Sequence, residues 1–218
     1  NRGYAPTCNR GAAAAGGDIL VFLNNDLVLT PRWLEPMLAA RRRLGSRAGL
    51  VGNVQLDARS GLLNHSGITI NHKGKPEHLG RRRTDFLRYS NGCEDVDLCL
   101  RAAAAGRTNA VALRSRVLHH ISMAPGRKDR DEANTQRLTV TWRETLVQLA
   151  LPAWCRHHFE TFLPEPRNFP DPALARQIFL HLLGLRRPPQ AALPGVRAAI
   201  EVEIARWEKM FGGGPAPV

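Results

Sequence analysis

"VFLNNDLVLTPRWLEPML", residues 21–38, decides how this chain is read. An apolar run, Ile19 to Leu23, stops abruptly at three polar residues, Asn24, Asn25 and Asp26. The run is short and continuous and follows the breaker Gly16-Gly17, which predicts a buried strand. Two readings of the polar triplet stay open on the residues alone. Asn and Asp bond their own backbone and favour turns. A carboxylate on a loop after a buried strand also suits a hard divalent cation, which takes oxygen ligands, and open α/β folds bind ligands at the carboxyl ends of their strands.

Outward from this stretch, the Ala-rich segment before Gly16-Gly17 predicts a short helix. Thr30-Pro31 has the form of an N-cap followed by proline at the first helical position, predicting a helix to about Leu44. Strands are expected over Ala48 to Leu56 and Leu62 to Ile70, separated by the turn Ala58-Arg59-Ser60-Gly61, followed by a basic loop over 71–92. A helix over Glu94 to Ala105 stops at Gly106, and Val111–Leu113 and Val117–His119 read as short strand pieces. From about Asp131 the pattern turns helical, over 131–150, 172–185 and 192–211, with Pro-rich joints. The fold class expected is therefore α/β, a mixed sheet flanked by helices with a C-terminal α-helical extension. The expected domains are 1–130 and 131–211, with a frayed tail over 212–218.

The totals narrow the function classes. At 218 residues and 43% hydrophobic content the chain can bury a core. The formal charge of +12 invites a nucleic-acid partner. Against it, only four of the 31 basic residues are Lys, the basic residues are spread along the chain, and aromatics at 6% are too few for a stacking platform. Nucleic acid is set aside in favour of a phosphate-bearing substrate or an anionic membrane surface. The four cysteines form no Cys-x-x-Cys pair, which points to a reducing compartment. No apolar run approaches the ~18 residues of a spanning helix. The expected location is cytoplasmic, with peripheral contact at the inner face of the plasma membrane. The chain opens inside what reads as a helix, so a segment preceding residue 1 is expected.

Two further stretches can carry chemistry. In "NGCEDVDLCLRAAAAG", residues 91–106, Glu94, Asp95 and Asp97 fall in the first turn of a helix. The helix dipole alone accounts for three acids there. Val96, Leu100 and Ala103 make the buried stripe, and Arg101 stands four residues after Asp97 as a partner. That leaves Glu94 and Asp95 facing whatever lies above the helix start, where an ionised carboxylate can act as general base. In "VLHHISMAPGR", residues 117–127, adjacent His119 and His120 on a strand face opposite ways, so at most one faces a given site.

In order and spacing over roughly residues 1–145, these three stretches resemble the family 2 glycosyltransferases, inverting enzymes of the GT-A fold, and within them bacterial cell-surface polysaccharide and rhamnosyl-type transferases. The resemblance implies a nucleotide-diphosphate sugar donor, a glycan or lipid-linked acceptor, and Mn²⁺ or Mg²⁺. Asp26 stands at the last acid of the family's metal-binding turn, with Asn24 where its first acid often is and Asn25 between them. Asp95 stands at the catalytic base, with Glu94 beside it, and His119 at a histidine that often completes the metal site. The family's base-gripping first stretch would precede residue 1. A truncated or non-catalytic copy, and a basic module for nucleic acid or anionic lipid, are the alternatives. In the helical extension, Ile178, Phe179, Leu182, Leu183 and Leu185 beside Arg186-Arg187 suit either core packing or an interfacial helix.

Overall fold

A computed structural model describes residues 4–79, 93–120 and 131–212. The Arg81-Arg82-Arg83 cluster, the rest of the expected loop from 80 to 92, the segment 121–127 and the tail from 213 lie outside the described residues. The chain divides into two compact units, one of residues 1–67 and 94–124, the other of 68–93 and 125–218.

The first unit is α/β, as expected. Its strands β1 (Leu27–Leu29), β2 (Ala48–Asp57), β3 (Leu63–His65) and β6 (Thr108–His119) form one mixed sheet in the order β1-β6-β2-β3. β2 and β6 run parallel, while β1 lies antiparallel to β6 and β3 antiparallel to β2. Helices α2 (Glu35–Leu44) and α3 (Glu94–Ala104) both pack against β2 and β6. α1 (Tyr4–Ala14) is the helix expected before Gly16-Gly17.

α3 follows from its sequence at both ends. Its first turn holds the three acids, favoured by the positive end of the helix dipole. It stops at Gly106, at φ 73°, where Gly106 N–H bonds Ala103 O and Arg107 N–H bonds Ala102 O. That pair of bonds needs a left-handed residue, which glycine supplies without strain. Val96 and Leu100 are buried and Arg101 Nε lies 2.6 Å from Asp97 Oδ2, as expected. Ala103 is exposed instead of completing the stripe.

Four expectations are corrected. Ile19 to Leu23 is not a strand: the segment is irregular, and its five side chains are 42–49% exposed. The strand in this region is the three-residue β1, which begins immediately after the polar triplet. Thr30-Pro31 does not open α2, because Thr30 Oγ1 donates to Arg116 O at 2.6 Å and Arg32 adopts φ 58°. The helix begins at Glu35, with Pro36 in its first turn. The strand expected over Leu62 to Ile70 is broken at Gly67, where φ of 129° turns the chain and sends β4 (Ile68–Ile70) into the second unit. The two short pieces around residues 111–119 are one strand, β6. Its register against β2 jumps from Asn53↔Ala112 to Val54↔Arg116, so residues 113–115 bulge.

Gly49 on β2 is fixed by a close approach. A Cβ there would meet Asn109 Oδ1 at 2.5 Å. That oxygen accepts from Leu50 N–H, while Asn109 Nδ2 donates to Cys99 O, tying β2 and α3 to β6.

The second unit holds the hairpin of β4 with β5 (Pro76–His78) and four helices, α4 (Asp131–Thr141), α5 (Arg143–Phe162), α6 (Pro172–Leu182) and α7 (Leu193–Met210). The helix expected over 131–150 is two helices meeting at Trp142, and the second runs through Pro152. An interior proline costs about 3 kcal/mol. Burial of Leu146, Val147, Ala150, Leu151 and Cys155 along α5 offsets that.

The hairpin turn is built by Asn71, whose Oδ1 accepts from Lys73 N–H and Lys75 N–H. It presents Lys73 and Lys75 to Glu203 of α7 at 3.0 and 2.7 Å, and Arg206 joins at 2.9 Å. Glu203 is 4% exposed. Burial alone would raise its pKa, but the hydrogen bonds from Lys75, Arg206 and Lys73 outweigh burial and hold it at about 2. Trp207, fully buried, donates its indole N–H to Glu132. Among the described residues no helix is long and apolar enough to cross a membrane.

Candidate functional site

The loop carrying Asp26 is fastened along the end of β6. Leu27, Val28 and Leu29 pair with His119, Leu118 and Val117. His120 N–H donates to Asp26 O at 2.8 Å, and Thr30 Oγ1 donates to Arg116 O. The bulge turns Ser115 inward, fully buried, so that its hydroxyl reaches Trp33 O at 2.5 Å. These bonds order a non-helical loop whose own backbone groups have few partners within it.

That fastening brings Asp26 and His119 together. His119 Nε2 lies 3.2 Å from Asp26 Oδ2, with the two side chains 11% and 20% exposed. The other carboxylate oxygen, Asp26 Oδ1, is buried and has no hydrogen-bond partner among the described residues. A buried carboxylate oxygen left bare costs on the order of 1–3 kcal/mol, so it is a position where a cation would be welcome. His120, one residue on, is exposed, as the alternation of a strand requires. Asn24 and Asn25 are also exposed.

Sequence reasoning missed Asn64. Its Nδ2 lies 2.9 Å from His119 Nδ1. It reaches from β3 across β2 to β6 and is 5% exposed, while Leu62 and Leu63 just before it are 70% and 39% exposed. No local signal marked it: Leu62, in the same phase two residues earlier, is exposed, and the 55 positions separating Asn64 from His119 carry no local spacing.

Glu94 and Asp95 lie at the start of α3, and among the described residues no hydrogen bond or ion pair joins them to Asp26 or His119. Asp95 is exposed at its outer surface, and its Oδ1 accepts from Val96 N–H at 2.8 Å. Surrounding protein nevertheless crowds water from the carboxyl. That desolvation, with repulsion from Glu94, pushes its pKa up to about 6. The neighbouring like charge acts in the same direction as the desolvation.

The residues fit a divalent ion only in part. Among the described residues no group of three or more His, Cys, Asp or Glu is placed to hold one. Asp26 and His119 together offer a carboxylate and an imidazole, and Mg²⁺-type sites commonly use one or two carboxylates with the remaining ligands from water and substrate phosphates. The bare Asp26 Oδ1 agrees with that partial set.

Comparison with known proteins places the first part of the chain. Residues 1–102 match the family described as Glycosyl transferase family 2, so this stretch is similar to that family. Its mixed sheet with flanking helices is consistent with a GT-A-like fold. A protein of Sinorhizobium fredii (strain NBRC 101917 / NGR234), named only "Uncharacterized protein y4gI", is 26% identical over 216 residues, covering 81% of this chain. The chain spans 22% of the length of that relative. No solved structure matches it.

Proposed function

We propose that this chain, whose residues 1–102 are similar to the family 2 glycosyltransferases, moves a sugar from a nucleotide-diphosphate donor to a hydroxyl of a glycan or lipid-linked acceptor of the cell envelope, with inversion at the anomeric carbon. The observation that carries the reading is the bare, buried Oδ1 of Asp26 beside an Oδ2 held by His119. Asp26 and His119 would hold Mn²⁺ or Mg²⁺ against the donor diphosphate, with Asn24 and Asn25 lining the same turn. When bound, the ion neutralises charge developing on the leaving diphosphate.

The chain's own residues account for the other half of the reaction. Asp95, with a pKa raised toward neutrality, suits a general base that takes the acceptor hydroxyl's proton. Desolvation raises that pKa, and repulsion from Glu94 beside it adds to the shift. A single displacement by the acceptor oxygen inverts the configuration and needs no covalent enzyme intermediate. Isothermal titration with UDP- and dTDP-sugars, with and without Mn²⁺, tests the reading. Metal-dependent donor binding supports it, and donor binding indifferent to Mn²⁺ and to Asp26→Asn overturns it. A non-catalytic copy of the fold is the second reading, favoured by the lack of a third ligating side chain among the described residues. Donor binding without any transfer would select it.

A further inference from the structure

The turn of the β4–β5 hairpin is held against the helices of the second unit at three points. Gly74 lies so close to α7 that a Cβ there would meet the Ile200 side chain at 2.8 Å. Lys73 and Lys75 reach Glu203 of the same helix. The third point is different in kind. The ring of His72 stacks on the ring of His157 of α5, with centroids 3.8 Å apart and planes 18° from parallel. His72 is half-buried and His157 exposed, so protons reach the pair from water.

Two neutral aromatic rings in this arrangement attract each other. Histidine is the side chain whose ordinary pKa puts its charge change between about pH 5 and 8. A proton on either ring places a cation on its neighbour, and a second proton sets two like charges face to face. The surroundings already favour the neutral form. The turn itself contributes Lys73 and Lys75, and α5 contributes Arg156, His158 and Glu160 within one turn of His157. Opposite charge comes from Glu77 of β5, Glu132 of α4 and Glu203 of α7, with Arg206 between the last two. These carboxylates have partners of their own: Glu77 accepts from Asn71 Nδ2, Glu132 from Arg206 and Trp207, and Glu203 from Lys73 and Arg206, while Glu160 is also engaged. Burial, His157 and Lys73 together hold the His72 imidazole below its ordinary range, and Glu203 opposes them only in part.

We propose that the His72–His157 stack is a pH-sensitive clasp, in which neutral rings hold the hairpin turn on α5 and protonation of the pair releases the hairpin from the helices. The sign follows from His72. The docked hairpin disfavours its proton, so the released form binds more protons. Docking is complete above the ordinary histidine value of about 6.5 and weakens as pH falls below it. A two-stranded hairpin is marginal on its own in water, so release also opens its internal bonds.

Hydrogen–deuterium exchange of the full chain, read by mass spectrometry, tests the clasp at about pH 7.5 and about pH 5.5, on either side of the ordinary imidazole value. Rates are corrected for the intrinsic pH dependence of exchange. Peptides over residues 68–78 contain the hairpin's own bonds, among them Asn71 N–H to Lys75 O and Gly74 N–H to Asn71 O. They should lose protection at the lower pH, while peptides over residues 146–155, which hold the buried side of α5, keep theirs. His157→Phe retains a ring to stack and cannot take a proton, so its hairpin should stay protected at both pH values. His72→Phe should do the same from the other side of the stack. Unchanged hairpin protection in the parent overturns the proposal, as does a parent-like loss in both Phe variants. Loss of protection in residues 146–155 together with the hairpin also overturns it, because the acid effect is then unfolding of the whole unit and not release of a clasp.

Discussion

Asp26 and His119 stand 93 residues apart in sequence and meet at 3.2 Å, because β1 and the end of β6 are paired residue for residue beginning at Leu27↔His119. The contact leaves one oxygen of the carboxylate held and the other bare.

Asp26→Asn should abolish Mn²⁺-dependent nucleotide-sugar binding in this chain while leaving its far-ultraviolet circular dichroism intact. The backbone bond from His120 N–H to Asp26 O does not involve the side chain, so the loop stays fastened. Titration of Mn²⁺ into parent and variant decides it, and equal affinities would remove Asp26 from the site.

Asp95→Asn should lower transfer by about 10²–10⁴-fold with donor affinity nearly unchanged, the usual contribution of a positioned base. The same substitution should raise thermal stability at neutral pH. A carboxyl whose folded pKa is raised to about 6 favours folding while protonated and loses that contribution as pH rises through 6. The gain in melting temperature should therefore appear above about pH 6 and vanish below about pH 4, where both states are protonated. A variant that melts like the parent at all pH values would contradict the raised pKa.

Asp97→Asn should behave differently from its neighbours in α3. Its carboxylate pairs with Arg101 at 2.6 Å, an i,i+4 pair on an exposed helix face that water screens. Transfer should be unaffected and the melting temperature slightly lower. A loss of transfer as large as that of Asp95→Asn would mean that the three acids act together as a helix cap.

Glu203→Gln should destabilise the second unit by about 1.5–3 kcal/mol, the range for hydrogen bonds to a charged group, because Lys73, Lys75 and Arg206 converge on that buried carboxylate while themselves staying partly in water. Its depressed pKa contributes stability above the ordinary carboxylate range of about 4, and that contribution is lost as pH falls through about 2. Acid titration monitored by tryptophan fluorescence should show the parent losing stability across that window, and the variant showing no such dependence there.

The exposed apolar residues at the end of α6 and just after it give a membrane test. Ile178 is fully buried, but Phe179, Leu183 and Leu185 are 44%, 55% and 68% exposed beside exposed Arg186 and Arg187. If this surface docks on anionic lipid, replacing both arginines with Gln should release the chain from acidic liposomes at moderate salt, at about 1 kcal/mol per charge. Equal sedimentation of parent and variant with vesicles would leave the patch without a lipid partner.

The residues by themselves determined what local chemistry decides. Acids before an apolar stripe and a glycine after it made α3, Gly45 closed α2, and the turn after Asp57 formed where its carboxylate accepts from Arg59 and Ser60 N–H. They also put Asp97 opposite Arg101, one helical turn away. Tertiary structure decided everything that rests on distant pairing. Ile19–Leu23 has the composition of a buried strand, yet burial needs neighbours on both faces, and here the pairing with β6 goes to Leu27–Leu29. Thr30 could cap a helix by local rules, but Arg116 O takes its hydroxyl. Asn64 looked like one polar residue in an apolar stretch until the sheet order carried it across β2 to His119. Periodicity and capping are set by residues within a turn of one another, whereas the contacts that build this site join residues 55 and 93 positions apart, and only the strand register fixes those.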